Sequence, residues 1–228
     1  HERARADAVL FNALPMPIAN ELKRSNTVAA QKHERVAVLF VDIVGFTGFA
    51  AERAPDAVLR VLDAIFTEFD TLVDRHGAEK IKTIGDAYMV IAKETAAPLA
   101  RLALDMLEAV AGYNLRAGLA LQVRAGMHLG PAITGVIGLR RLHYDVWGDA
   151  VNTASRMEST GETGRIQVSA AVWHELRQAF AFRCRGTIAV KGKGPMCTFF
   201  LLGRASDREQ RATATGTQPS ASPARLAA

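Results

Sequence analysis

Two aspartates are placed where they could bind a cation. Asp42 interrupts the run VAVLFVDIV (36–44), which otherwise resembles a strand buried on both faces, where an unpaired carboxylate costs several kcal/mol. Asp86 follows Gly85 at the tip of a predicted hairpin. Either residue alone could be structural, Asp42 as a strand-end cap and Asp86 as a turn residue. As a pair without thiol or imidazole partners nearby, they predict a site for Mg²⁺ or Mn²⁺.

Two glycine-flanked segments could hold phosphate groups. The first, GFTGF, leads into a helix, so the backbone N–H groups around Phe46 and Thr47 could bind an anion. The second, VKGKG, carries Lys191 and Lys193, although an ordinary solvated turn explains it equally well. The sequence contains no G-x-x-x-x-G-K-[ST] motif, so a P-loop is excluded as the phosphate cradle.

A third candidate feature is a polar pair on one predicted helix. Asn152 and Arg156 are four positions apart and therefore share a helix face. An amide beside a guanidinium suits a ribose and a phosphoryl group. The exposed polar face of a surface helix is an equally good interpretation of the same spacing.

The segments that carry these residues predict an α+β fold. A strand at 36–44 is followed by a helix that begins near Pro55 and ends at Gly77. The hairpin around Asp86, a second amphipathic helix, a strand from about Leu121 to Met127 and a separate glycine-punctuated strand, AITGVIG, come next. This order predicts a ferredoxin-like βαββαβ core with a C-terminal extension. In such a sheet the hairpin lies beside the first strand, so Asp42 and Asp86 can converge.

The extension is predicted to contain a short helix and further strands. The helix runs from about Asp149 to Met157, and two strands lie near 181–190 and 197–202. The chain has two cysteines, Cys184 and Cys197, within these apolar strands and without metal-ligand spacing. We expect both to be buried free thiols in a reducing compartment.

Composition divides the chain into three parts. Residues 1–35 contain a helical pattern broken by two prolines and are predicted to form a helical linker. Residues 36–203 are the predicted catalytic domain, and residues 204–228, which are poor in large apolar side chains, are predicted to be disordered. Because the sequence begins with His1, we expect a piece of a longer protein. Residues 1–35 would then join the domain to an upstream membrane or sensor module, or form a plain surface extension.

Charge favours small anionic partners over nucleic acid. The formal net charge is +5 and the isoelectric point is near 9.5. The basic residues are spread along the chain, and most of the ten phenylalanines occupy core-periodic positions instead of forming a stacking surface. We therefore expect no nucleic-acid partner.

Four sequence blocks resemble the class III nucleotidyl cyclases in order and approximate spacing. They are FVDIVGFT (40–47), EKIKTIGDAYMV (79–90), YDVWGDAVNTASRMES (144–159) and VKGKG (190–194). The resemblance covers about 36–203 and is greatest to bacterial homodimeric adenylyl cyclases, including mycobacterial ones. It implies the class III cyclase fold, a cytoplasmic catalytic domain, and conversion of ATP to cyclic AMP and pyrophosphate.

The resemblance also implies roles for the matching residues. Asp42 and Asp86, with the backbone carbonyl of Ile43, would bind two Mg²⁺ or Mn²⁺ ions per site. The rest of each site would come from the other subunit of a head-to-tail homodimer with two symmetric sites. That subunit would supply Lys82 and Asp145 for the base, Asn152 for the ribose and Arg156 for the transition state. The phosphates would contact Arg140, or its neighbour Arg141, and the lysines of VKGKG, Lys191 and Lys193.

The base-recognition pair favours ATP over GTP. Adenine presents a donor at N6 and an acceptor at N1, which match a carboxylate at Asp145 and an ammonium at Lys82. Guanine reverses this edge, and mismatched polar groups discriminate strongly. Guanylyl cyclases of the family carry Glu and Cys at these positions. A guanylyl cyclase and a catalytically silent dimerisation or nucleotide-sensing module are the alternatives, and the G-G-[DE]-E-F signature of diguanylate cyclases is absent.

Overall fold

The structure, a computed structural model, describes residues 14–25, 27–138 and 142–205. The helices are α1 (Met16–Ser25), α2 (Phe46–Ala51), α3 (Pro55–His76), α4 (Ala97–Ala117), α5 (Asp149–Ser159) and α6 (Ala170–Leu176). The strands are β1 (Gln31–Val44), β2 (Glu79–Ile84), β3 (Ala87–Lys93), β4 (Gln122–Ile137), β5 (His143–Trp147), β6 (Ile166–Ser169), β7 (Phe180–Val190) and β8 (Gly194–Arg204).

The eight strands form one sheet, with the order β2-β3-β1-β4-β6-β8-β7 and β5 paired to β4. The first four strands of this order are antiparallel neighbours. Together with α3 and α4 they form the predicted ferredoxin-like βαββαβ core, and β5 to β8 with α5 and α6 form the C-terminal extension. The parallel pairing of β4 with β6 joins the two parts.

Strand β1 lies between β3 and β4 inside the sheet, which explains the apolar run from Val36 to Val41. Ala37, Leu39 and Val41 point into the cluster beneath α3 and α4. Val36 and Val38 point to the opposite face, into a second cluster that includes side chains of α5. Because both faces are covered, a polar residue in this strand needs a special reason, and Asp42 lies where the strand approaches its end.

Helix α3 begins and ends as its sequence predicts. Pro55 occupies the first turn, where its missing N–H removes no hydrogen bond. Gly77 ends the helix in the left-handed conformation at φ 62°, and its N–H donates to the carbonyl of Asp74.

Helix α5 lies unusually close to strand β4. A Cβ atom at Gly126 would stand 1.8 Å from the backbone nitrogen of Glu158, which no side chain can occupy. Glycine at this position therefore lets the end of α5 rest directly on the sheet. The polar residues on the outward face of the helix are held at a fixed height above β4.

Helix α1 packs against the domain. Leu14, Ile18 and Ala19 are buried around Tyr144 of β5, and Ile81 of β2 packs at the edge of this cluster.

Strand β1 begins at Gln31, earlier than the start at Val36 that the apolar run suggested. Its first residues pair with the far end of β4, because β4 continues to Ile137 as one strand where two were expected.

The expectation of buried cysteines is wrong, because Cys184 and Cys197 are both exposed. They lie on the last two strands of the sheet order, β8 and the edge strand β7, where much of the β7 surface remains open. The apolar sequence predicted strands correctly here, but it did not show that one face of these strands is open to solvent.

Within the described ranges, no helix combines the length and apolarity needed to cross a membrane. The predictions for 1–13 and 206–228 lie outside the described residues.

Candidate active site

The two predicted cation-binding aspartates lie side by side. Asp42 on β1 is opposite Ala87 on β3, and Asp86 immediately precedes Ala87 in the hairpin turn. Burial, followed by the negative charges of Glu158 and Asp86, raises the pKa of Asp42 to about 6, against the lowering effect of Arg124. The hairpin thus places two mutually repelling carboxylates at one corner of the sheet.

This donor set fits a hard cation, which would relieve the repulsion between the carboxylates. Ile43 can contribute only its backbone carbonyl, because its side chain is buried in the core. Among the described residues, no group of three or more His, Cys, Asp and Glu side chains could hold a metal ion. Further oxygen ligands would have to come from the backbone, water or substrate phosphates, which is the usual environment of Mg²⁺.

The turn after β1 leads directly into α2. Gly45 precedes the helix in the left-handed conformation at φ 74°, and no side chain caps the first turn. The first-turn N–H groups, which include those of Phe46 and Thr47, are therefore free of side-chain acceptors. Phe46 stacks on Phe49 at a centroid distance of 5.7 Å, and both rings pack against the main core cluster.

Lys82 and Asp145 come from different strands, β2 and β5, and form an ion pair. The backbone N–H of Val146 also donates to the Asp145 carboxylate, at 2.8 Å. The Asp145 side chain is 16% exposed and that of Lys82 is 40% exposed, so the carboxylate is fixed while the ammonium reaches solvent. The pair presents an acceptor and a donor next to each other.

Helix α5 places Asn152 and Arg156 one turn apart on its outward face. Asn152 is exposed and Arg156 is half-buried, whereas Thr153, Ala154 and Met157 are buried against the sheet. The amphipathic pattern of the helix thus turns the amide and the guanidinium away from the core.

The VKGKG loop brings one of its lysines to α5. Lys191 and Lys193 are both exposed, and Lys193 forms an ion pair with Asp149 in the first turn of that helix. Gly192 and Gly194 have φ values of 80° and 76°, and this left-handed backbone folds the loop over. Arg140 and its neighbour Arg141 lie outside the described residues.

Arg124 was not identified from the sequence, yet it touches the carboxylate site. Its guanidinium lies 3.3 Å from Asp42 and 2.7 Å from Glu158. Strand β4 provides Arg124 and α5 provides Glu158, so three elements meet at this guanidinium. An arginine within a largely apolar strand was the only sign in the sequence of a role for this residue. Its partners could not be predicted, because both are distant in sequence.

The predicted residues fall into two groups by their place in the fold. The first contains Asp42 and Asp86 beside the turn at Phe46 and Thr47. The second comprises the Lys82–Asp145 pair and the α5 residues with Lys193, and the side-chain contacts within it join Lys82 to Asp145 and Lys193 to Asp149. Arg124 and Glu158 connect the first group to the far end of α5.

The geometry agrees with a family comparison. The sequence model described as "Adenylate and Guanylate cyclase catalytic domain" matches residues 28–203. The chain therefore belongs to the family of class III adenylate and guanylate cyclase catalytic domains.

Relatives and solved structures in the family include both kinds of cyclase. The chain is 47% identical over 210 residues to an adenylate cyclase of Mycobacterium tuberculosis, covering 89% of this chain and 47% of the relative. It is 41% identical over 213 residues to human atrial natriuretic peptide receptor 2, covering 89% of this chain and 20% of the receptor. The chain thus spans less than half the length of these relatives.

The fold is shared with a guanylate cyclase domain from Catenaria anguillulae, whose structure was solved in complex with GTP. The TM-score is 0.73 at 32% identity, with 76% of this chain and 99% of that chain covered. Structural likeness therefore identifies a nucleotide cyclase domain, and the choice of base depends on individual residues.

Proposed function

We propose that this domain is an adenylyl cyclase, which converts ATP to 3′,5′-cyclic AMP and pyrophosphate. The observation that carries the choice of ATP is the Lys82–Asp145 ion pair. Asp145 is fixed by a backbone N–H and can accept from the adenine N6 amino group, while Lys82 can donate to N1. Guanine would place its O6 acceptor against the Asp145 carboxylate and its N1 donor against the Lys82 ammonium. These groups would then lack hydrogen-bond partners, which lowers the affinity for GTP.

The reaction we propose is an in-line attack of the ribose 3′-hydroxyl on the α-phosphorus. The O3′–P bond forms as the bond between the α-phosphorus and the pyrophosphate oxygen breaks. Asp42, Asp86 and the carbonyl of Ile43 would hold two Mg²⁺ or Mn²⁺ ions, which lower the pKa of the hydroxyl and neutralise the leaving phosphates.

The other residues position and stabilise the substrate. Asn152 hydrogen-bonds the ribose, and Arg156 meets the charge that develops on the α-phosphoryl group. Lys193 of the VKGKG loop, which pairs with Asp149 at the start of α5, binds the terminal phosphates. We do not propose His128 as a general base. Its Nδ1 lies 2.7 Å from the Ser169 hydroxyl oxygen, and burial lowers its pKa to about 4, which makes it a weak base.

We also propose that each site is completed by a second copy of the chain in a head-to-tail homodimer. Supporting this, exposed apolar side chains flank the residues of both groups. Ile84 precedes the Asp86 turn and is 53% exposed, and Ile137, at the end of β4, is 59% exposed. Covering such side chains would favour association of two copies.

The deciding experiment compares turnover of ATP and GTP by the purified chain with Mn²⁺, over a range of protein concentrations. We expect ATP to be the preferred substrate, with specific activity that rises with concentration as dimers form. A preference for GTP would instead support the guanylyl cyclase alternative, which is favoured by the likeness to a guanylate cyclase domain solved in complex with GTP. Loss of all activity in Asp42→Ala would support the two-cation mechanism, and retained turnover would contradict it.

A further inference from the structure

The two cysteines lie on one face of the hairpin formed by β7 and β8. Cys184 is directly opposite Phe199, and Cys197 is two residues before Phe199 on the same strand. Because side chains alternate along a strand, Cys197 and Cys184 point to the same side. They are therefore diagonal neighbours across the two strands.

A β-bulge lies between the positions of this diagonal pair. The register between β7 and β8 shifts between Cys184 and Gly186, and Gly186 has a φ of 103°. Such a bulge bends the strand locally. Partial burial and the neighbouring Cys184 sulfur, to which the Cys197 S–H donates, raise the pKa of the Cys197 thiol.

Both cysteines are exposed, and they are the only two in the chain. A soluble oxidant can therefore reach either sulfur, and the nearest available thiol is the other member of the pair. Neither residue belongs to the proposed catalytic machinery.

We propose that Cys184 and Cys197 form a reversible dithiol–disulfide site, oxidised by low-molecular-weight disulfides such as glutathione disulfide. In the first step one protein thiolate attacks the oxidant, forms a mixed disulfide and releases one glutathione thiolate. In the second step the other protein thiolate attacks the protein sulfur of that mixed disulfide and releases the second glutathione. Two protein thiols are oxidised and one glutathione disulfide is reduced to two glutathiones.

The position of the pair gives the oxidation a structural consequence. From the cysteines, β7 and β8 continue to the turn that carries Lys191 and Lys193. A covalent bond across the bulge would fix the relative position of the two strands leading to this turn.

The test oxidises the full chain with glutathione disulfide under native conditions and measures its intact mass. We expect the loss of two hydrogens per chain, no bound glutathione, no reaction with a thiol reagent, and a single-chain species on a non-reducing gel. Proteolytic mapping should recover Cys184 linked to Cys197, and dithiothreitol should restore both thiols.

The matched controls are Cys184→Ser and Cys197→Ser. Each variant should stop at the mixed disulfide and retain one glutathione, because the resolving thiol is missing. An independent probe is phenylarsine oxide, which should bind the reduced wild-type chain in a form resistant to washing with a monothiol, but neither variant. A wild-type chain that keeps glutathione on its cysteines, or that forms disulfides between chains, would overturn the proposal.

Discussion

The guanidinium of Arg124 lies 2.7 Å from the carboxylate of Glu158. The same guanidinium is 3.3 Å from Asp42, so one arginine on β4 joins the end of β1 that we propose binds metal to the end of α5. The side chains of Arg124 and Glu158 are 25% and 12% exposed, so water screens their attraction only partly. Without the arginine, Asp42, Asp86 and Glu158 would form an uncompensated cluster of negative charge.

Arg124→Gln should therefore destabilise the domain. We expect the free energy of unfolding to fall by about 1–3 kcal/mol, because buried carboxylates lose their counter-charge. Urea denaturation gives the value. The matched control is Arg116→Gln, whose ion pair with Glu68 is on the surface, since the Arg116 side chain is 64% exposed. That variant should change stability by about 0–1 kcal/mol, and an equal effect of the two would contradict a special role for Arg124.

Asp42 should make stability fall as the pH rises through about 4 to 6. Its pKa is raised to about 6 in the folded chain, so in this window the folded state binds more protons than the unfolded state. Asp42→Asn should accordingly stabilise the chain above pH 6, by about 1–3 kcal/mol, and lose this advantage below pH 4. Thermal unfolding across pH measures the effect.

The matched variant is Asp63→Asn, which removes one carboxylate from the exposed face of α3 and so measures the effect of the change in net charge alone. A stability of Asp42→Asn that runs parallel to the wild type at every pH would refute the assignment. Asp42→Asn should also abolish cyclase activity, because it replaces a proposed cation ligand with a neutral amide.

Substrate choice should follow the Lys82–Asp145 pair. Lys82→Glu combined with Asp145→Cys supplies the residues that guanylyl cyclases of the family carry. The ratio of kcat/KM for ATP to that for GTP should fall by about 100-fold or more, since the hydrogen-bonding edge of the site is reversed. Lys80→Gln is the control, because Lys80 is on the same strand but pairs with Asp70. If the double variant kept the wild-type ratio, another residue would have to read the base.

The two lysines of the VKGKG loop should contribute unequally. Both lysines are exposed, but Lys193 forms an ion pair with Asp149 at the start of α5, which holds its ammonium near that helix. Lys193→Gln should lower kcat/KM for ATP by about 10-fold or more, through loss of a charge-assisted contact to the terminal phosphates. Lys191→Gln should have a smaller effect, and the reverse order would move the phosphate contact to Lys191.

Gly126→Ala should prevent the native docking of α5. The added methyl group would overlap the backbone nitrogen of Glu158, which is part of a helix and cannot move alone. We expect a loss of about 3 kcal/mol or more, or failure to fold. Gly48→Ala is a suitable control, because a Cβ atom there meets nothing within 4 Å. Circular dichroism and urea denaturation distinguish the two variants.

Local chemistry made most of the fold predictable. The helix that ends at Gly77 and the hairpin around Asp86 follow from residues that are neighbours in sequence, and both are confirmed. The continuity of β4 was not predicted, because glycines within AITGVIG look like breaks when the pairing with the start of β1 is unknown. The sequence also did not show that β7 would be an edge strand, which is why Cys184 and Cys197 were expected to be buried.

The site was predictable only as far as single residues reveal chemistry. Asp42 was conspicuous because its strand is apolar, whereas the importance of Arg124 depends on a carboxylate 82 positions away. The ion pair between Lys82 and Asp145 is likewise a contact between distant strands. Periodicity and spacing do not encode such partners, so the structure is what connects them.

Helix α1 packs through Ile18 and Ala19 on Tyr144, and that tyrosine is the residue before Asp145. Ile81, at the edge of the same cluster, is the residue before Lys82. Helix α1 therefore packs on the residues that precede Lys82 and Asp145, the pair that we propose reads the base. On that proposal, a displacement of α1 would change the affinity for the nucleotide, and the choice between nucleotides, before it altered the bond-making step.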